Sequence, residues 1–387
     1  VWVDVQSNDD RIQEHWACVV RRTGDPKWER LQTTGTTGKW SKEDDELPSK
    51  LQTALAAQKV SATTITLLAD KLRRQRLAPL VKHLGGVTAL YVAPVHWLSG
   101  IPIDLLAPEY TISYVPSGTF LARRSKPVVK PVTLLAVGDP FYDVAKRKGE
   151  TKGMDARPEK WLDLPGTRVE VSQIAKLFET SPKVLFDSAA SEQTLEEMRR
   201  KGELSKYRYL HFATHGKGNS IRAFDSSLIL SQDNLPMELL SKSGQPFLDG
   251  KLTASEVLLY WELDAALVTL SACETAIGIE AGGDGLLGFA QAFLLAGARS
   301  VCLSLWEVDD TATALLMTRF YRNLLGKRDG LTKPMPKALA LQEAKEWLRN
   351  LTTDEAKILS TELSKGITRG ERGPIKVVID PTLPETT

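Results

Sequence analysis

Two stretches of the chain each end an apolar run on a side chain capable of acid–base or nucleophilic chemistry. The first is Tyr207-Arg-Tyr-Leu-His211-Phe-Ala-Thr-His215-Gly216 and the second Ala266-Leu-Val-Thr-Leu-Ser-Ala-Cys273-Glu274. Both read as strands that deliver a reactive residue into a loop, and if the strands are parallel the two tips share one edge of a sheet. An imidazole there can take or hold a thiol proton, and a thiolate is the attacking species. Gly216 leaves the backbone open where a substrate chain must approach. The N–H groups of Gly216 and Cys273 are then natural donors to the oxyanion of a tetrahedral intermediate. His215 and Cys273 are the candidate catalytic pair, and the chemistry is acyl transfer.

The remaining candidates each carry an ordinary reading beside the chemical one. His211 lies four residues before His215, but four residues along a strand do not make a metal pair as they would on a helix; it reads as a core or supporting residue. Cys302, between Val301 and Leu303, reads as inert packing in a buried strand. Ser271 and Trp306 would flank a substrate pocket, with ordinary packing the alternative. Asp309 and Asp310 read first as helix caps, though one could reach the pocket. Glu274 and Asp284, on the loop after the nucleophile, would favour a basic substrate side chain by charge pairing if either faced the cleft. The Gly282–Gly288 stretch lacks the Gly-Lys-Ser/Thr ending of a phosphate loop. No paired metal-ligand spacing occurs around His15 and Cys18 or around His211 and His215, so neither metal nor cofactor is expected.

Composition narrows the class. With 42% hydrophobic and 25% charged residues the chain can bury a sizeable core, and its formal net charge of +2 is spread widely. The basic clusters at Lys71–Arg76 and Arg123–Lys126 read as solvated faces, and nucleic-acid binding is not expected. No apolar run is long enough to span a bilayer and nothing at the start resembles a signal peptide. Three cysteines without a CxxC pair point to a reducing, cytoplasmic setting. The chain starts without Met inside a strand-like Val1–Val5, as a fragment of a longer polypeptide would.

Residues 1–125 read as a smaller leading lobe: strands near Val1–Val5, Trp16–Arg21 and Ala89–Ala93, with helical patterns at Leu51–Ala57 and Ile65–Arg76. Arg123–Pro131 reads as a linker. From 132 to 387 strands and helices alternate: strand Thr133–Val137, a helix carrying Val171, Ile174, Ala175 and Phe178, strand Lys183–Phe186, helix Thr194–Lys201 opened by a Thr-x-x-Glu box, and strand Tyr207–Phe212. After a long connection, Gly216–Leu263, with a hairpin expected at Ser227–Ser231 and a helix opened by Thr253 and Glu256, come strand Ala266–Ser271, helix Gly285–Ala296, strand Ser300–Leu305 and helix Asp310–Leu325. This alternation predicts an α/β fold, a mostly parallel sheet with helices on both faces.

In this order the strings His211-Phe-Ala-Thr-His215-Gly216, Leu270-Ser-Ala-Cys273-Glu274-Thr275, Gly283-Asp-Gly285-Leu286 and Leu305-Trp306-Glu-Val308-Asp309-Asp310 resemble the CHAT family of caspase-like proteins. Weaker likenesses run through His96–Pro102, Ser113–Ser117, Ala136–Pro140 and Leu164–Arg168. The 58 residues from His215 to Cys273 (273 minus 215) also come near the spacing of about 50 in caspases. The resemblance implies a caspase-hemoglobinase fold, a His215–Cys273 dyad and cleavage of a protein substrate without metal or cofactor. It makes the leading lobe readable as a degenerate caspase-like half. It further implies gating by an upstream tetratricopeptide region or an activating partner, in settings such as bacterial defence or regulated cell death. Ser271-Ala-Cys273-Glu274-Thr275 differs from the caspase pentapeptide, so aspartate specificity is not implied. The family usually closes with an aromatic-rich strand carrying a Trp, and Gly373–Thr387 has no Trp, so this last strand is expected to be divergent or missing. Two rival readings are a non-catalytic signalling or scaffold module and a cysteine acyltransferase or amide hydrolase on another doubly wound fold.

Overall fold

A computed structural model describes residues 2–6, 15–35, 40–57, 60–93, 101–123, 131–142, 161–219, 222–233, 235, 248–273, 284–305, 309–372 and 375. The chain divides into two compact units, Val1–Lys126 and Pro127–Thr387.

The first unit begins with strands β1 (Trp2–Gln6), β2 (His15–Val19) and β3 (Lys27–Arg30), then helices α1 (Lys42–Ala56) and α2 (Ala62–Arg76), strand β4 (Ala89–Ala93), a short helix α3 (Ile103–Leu106), strand β5 (Thr111–Tyr114) and helix α4 (Gly118–Ala122). The five strands lie in the order β3-β2-β1-β4-β5, antiparallel at the β3 side and parallel at the β5 side. Helix α1 starts earlier than its apolar periodicity suggests, because Ser41 and Asp44 close a capping box ahead of it. Ala17, Val19, Leu90 and Val92 bury one sheet face against Leu47, Leu51 and Leu72 of the two long helices.

One polar group inside this core is unusual. His15 is 3% exposed, stacks on Trp40 at 3.8 Å, and its Nε2 lies 3.6 Å from Asp45. Burial, reinforced by the Arg76 charge, holds its pKa down to about 4.

The second unit contains β6 (Leu134–Pro140), α5 (Pro165–Ala175), β7 (Lys183–Asp187), α6 (Glu192–Arg200), β8 (Tyr209–Lys217), β9 (Ser227–Ile229), β10 (Lys251–Thr253), α7 (Ala254–Tyr260), β11 (Leu267–Cys273), α8 (Asp284–Leu295), β12 (Val301–Leu303), α9 (Asp310–Leu324), α10 (Lys337–Arg349) and α11 (Thr353–Ser364). The parallel core runs β7-β6-β8-β11-β12, and β9 and β10 join antiparallel along the far end of β8. Period-two alternation divides the sheet between two cores. Leu135, Val137, Leu210, Phe212, Val268 and Leu270 face α6, α7 and α8. Leu134, Ala136, Tyr209, Ala213 and Leu267 face α5, α9 and α10. The α/β class and the mostly parallel sheet agree with the expectation from sequence.

Several local expectations need correction. Strand β8 does not stop before His215 but carries it, Gly216 and Lys217 inside the strand, because β9 takes over hydrogen bonding where β6 ends. The segment at Ser227 is accordingly not a self-contained hairpin but a strand between β8 and β10. Helix α6 is capped by Ser191, whose hydroxyl accepts from the Thr194 N–H, so Thr194 lies inside the first turn. Cys302 is partly rather than fully buried. Helices α10 and α11 had no sequence expectation. The Thr253–Glu256 capping box and the Asp309 cap are present. The stretch 373–387, where the family's closing strand has no clear counterpart in the sequence, falls outside the described residues apart from residue 375.

Two predictions arise from these packing details. Protonating buried His15 opposes folding, so the stability it contributes is complete above its unfolded pKa of 6.5 and is lost as pH falls through about 4. Thermal unfolding should show a loss of about 3 kcal/mol across that window, diminished in His15→Gln. Gly297, at φ +116°, would place a Cβ 2.0 Å from the Leu263 carbonyl oxygen, whereas Gly202, at φ +65°, has nothing within 4 Å. In urea titration Gly297→Ala should cost about 3 kcal/mol or more, and Gly202→Ala about 1 kcal/mol.

Candidate active site

The site is built at the carboxyl end of the parallel core. The β8–β11 register is continuous from Leu267 opposite Tyr209 to Cys273 opposite His215, so the two sequence candidates sit side by side at the backbone level. The Cys273 side chain lies outside the described residues, as do Glu274 and Trp306. Asp284 opens helix α8 rather than lying in a loop, and its side chain is likewise outside the described set. Ser271 is 2% exposed, with its hydroxyl oxygen buried and without a hydrogen-bond partner among the described residues. The Asp309 carboxylate accepts from the Ala312 N–H at 2.8 Å, which commits it to capping α9.

His215 is the best-defined element. Its ring contacts Tyr142, at 5.1 Å, and Trp161, at 5.2 Å, both tilted. Its Nε2 lies 2.7 Å from the Leu162 carbonyl oxygen. A carbonyl can accept but never donate, so Nε2 carries the proton and Nδ1 of the neutral ring is the basic nitrogen. The backbone is fixed as firmly. The Tyr142 hydroxyl accepts from the His215 N–H and donates to the Ile229 carbonyl, both at 3.2 Å. Burial pushes the Tyr142 hydroxyl well above the ordinary phenol range, which keeps it a neutral bridge.

Gly216 pairs with Leu228 of β9. Along β8 the Tyr209 N–H bonds the Thr133 carbonyl on the β6 side, and the Arg208 carbonyl accepts from Ala266 on the β11 side. Backbone groups alternate sides residue by residue, so even-numbered Gly216 presents its N–H toward β11.

His211 takes no part in this arrangement. Fully buried, its Nε2 is 2.8 Å from Glu170 and its Nδ1 3.3 Å from the Tyr321 hydroxyl, which is 3.0 Å from Thr269. This chain of polar groups pins β8 and β11 to α5 and α9 below the site. Burial pushes the Cys302 thiol up to about 11, leaving it protonated at neutral pH.

Sequence reasoning missed Tyr142, Trp161 and the Leu162 carbonyl. None has a motif: two are aromatic residues far from either strand and the third is a backbone atom. It also missed an ion cluster at the ends of β6 and β7, although Asp139 and Arg168 fall in strings already noted as family-like. Asp139, fully buried, is held by Arg168 at 2.7 Å, Arg369 at 2.6 Å and Arg372 at 2.6 Å. Asp187 pairs with Arg168 and, at 2.6 Å, with Arg372. Burial pushes the Asp139 carboxyl up, and the Arg168 and Arg369 guanidiniums pull it back. Among the described residues no cluster of three or more His, Cys, Asp or Glu could hold a metal ion, and no helix is long and apolar enough to cross a membrane.

Comparison with known proteins places the chain in a family. Tetratricopeptide repeat protein 28 of Mus musculus is 28% identical over 265 residues, covering 61% of this chain and 10% of that protein. Its Homo sapiens counterpart is 28% identical over 269 residues, with the same coverage. The chain therefore spans about a tenth of the length of these relatives. A solved structure, that of the Arg-specific cysteine proteinase gingipain R, is similar at 11% identity and a TM-score of 0.41, over 82% of this chain and 72% of that one. The CHAT domain family matches residues 49–369, most of the chain. With its mixed, mostly parallel sheet and this match, the chain belongs to the CHAT domain family, which has a caspase-like fold.

Proposed function

We propose that this chain is a cysteine endopeptidase in which Cys273 attacks a peptide carbonyl and His215 moves the proton. The observation that carries this reading is the register pairing of positions 215 and 273 on adjacent parallel strands, beside an imidazole whose tautomer is fixed by Leu162. Paired positions on neighbouring strands lie on one face of a pleated sheet. With Nε2 donating to the carbonyl, Nδ1 receives the thiol proton, and the resulting imidazolium returns it to the leaving amine. The Gly216 and Cys273 N–H groups are the proposed oxyanion donors. Ser271, Glu274, Asp284, Trp306 and Asp309 remain the proposed surroundings of the substrate side chain, although the capping role of Asp309 makes it the weakest of them.

The substrate is proposed to be a protein and the enzyme to be gated, in a cytoplasmic setting. Two observations support gating. His215 is 3% exposed, so an incoming chain needs movement around the site. The relatives are named for tetratricopeptide repeats and extend far beyond the matched region, which makes a repeat region or an activating partner the natural trigger. The same burial of His215 is what a scaffold module using the fold without catalysis would show, and that is the second reading.

Cleavage of a peptide library by the unaltered chain, alone and with a tetratricopeptide-repeat protein added as candidate activator, separates the two. Peptidase activity should fall by about 10³-fold or more in both Cys273→Ala and His215→Ala, each alone costing nearly as much as the pair. Cleavage that persists in both variants would overturn the dyad, and no cleavage in any form of the unaltered protein would favour the scaffold.

A further inference from the structure

The imidazole is oriented by a carbonyl in a segment, 161–164, that belongs to no regular element, and something must hold that segment still. Apolar packing does not do so at the decisive residue, since the Leu162 side chain is 76% exposed. On one side, Leu164 is fixed to α5 by the Thr167 hydroxyl and N–H, which both donate to its carbonyl. On the other, Trp161 packs with Tyr142 and Ile229. Between them, Asp163 pairs with two arginines. Its carboxylate lies 3.0 Å from Arg369 and 3.5 Å from Arg372.

These two arginines are not free to drift, because the same guanidiniums compensate Asp139. The Arg369 Nη2 group is shared between Asp139, at 2.6 Å, and Asp163, at 3.0 Å. Asp139 is fully buried, and stripping a partner from such a charge is among the more expensive changes a fold can suffer. Asp139 and Asp187 also hold left-handed backbone, at φ 44° and 53°, a strained conformation for residues other than glycine. A rigid centre of three guanidiniums and two carboxylates thus extends one further carboxylate, Asp163, to the residue next to the histidine's acceptor.

We propose that Arg369 and Arg372 are positioning residues for His215, acting through Asp163 to fix the Leu162 carbonyl and with it the ring tautomer. Neither touches the reacting atoms. The catalytic meaning of this arrangement rests on the peptidase reading, but its test does not.

The full chain labelled with ¹⁵N-histidine has five histidines, and His215→Gln assigns the signal of interest. A two-bond ¹H–¹⁵N correlation then reports which ring nitrogen carries the proton. The unaltered chain should show His215 protonated at Nε2. Asp163→Asn, at a half-exposed position, and Arg369→Lys, which keeps a charge against Asp139 but loses the fork that bridges two carboxylates, should each shift it toward the mixed tautomers of a free imidazole. If cleavage is measurable, kcat should fall about fivefold in Asp163→Asn with KM unchanged, the scale of a half-exposed ion pair. An unaltered tautomer in folded Asp163→Asn overturns the proposal, whether or not the protein cleaves anything. Should Arg369→Lys not fold, Asp163→Asn decides alone. Absence of cleavage both alone and with the activator, together with a shifted tautomer, would sink the peptidase reading and leave the positioning role standing.

Discussion

Parallel pairing between β8 and β11 is the constraint from which the site follows. A parallel ladder has no turn to fix its register, so side-chain burial on both faces must do so. Here it does: Leu210, Phe212, Val268 and Leu270 fill one core while Tyr209, Ala213 and Leu267 fill the other. Slipping one strand by a residue would turn every one of those side chains to the wrong face. It would also carry position 273 out of line with 215. Apolar packing far below the site thus fixes that backbone position 273 stands opposite 215 at its rim.

The polar groups inside the sheet add specificity to this packing. Glu170, His211, Tyr321 and Thr269 link two helices to the two strands that matter, in an interior where each hydrogen bond left unmade would be expensive. An apolar contact would tolerate sliding of α5 or α9 along the sheet, whereas these bonds do not. Gly138 and Gly166 make the same demand sterically. A Cβ at the first would meet Val171 at 2.8 Å, and at the second Asp310 at 2.7 Å, so α5 lies closer to β6 and to α9 than larger residues would permit.

How much was legible in the sequence divides along physical lines. Strands such as Ala89–Ala93 and the capped helices at Thr253 and Asp309 are local patterns, and local patterns can be read. That positions 215 and 273 stand opposite each other on neighbouring parallel strands was readable because both lie at the ends of apolar runs. What could not be read is cooperative over long distances. The extension of β8 through His215 depends on β9 arriving where β6 stops. The acceptor for the ring is a backbone carbonyl, which any residue type would supply. Arg369 lies 230 residues from Asp139, and nothing in either residue's neighbourhood announces the other.

That separation has a consequence for the life of the chain. Synthesis proceeds from the N-terminus, and domains form as their parts emerge. Strands β6 and β8 and position 273 all leave the ribosome well before residues 369–372, so two of the three guanidiniums that compensate Asp139 arrive only after α11 has been made. Until then Arg168 is the guanidinium partner that Asp139 already has, and the order of translation sets when the cluster closes.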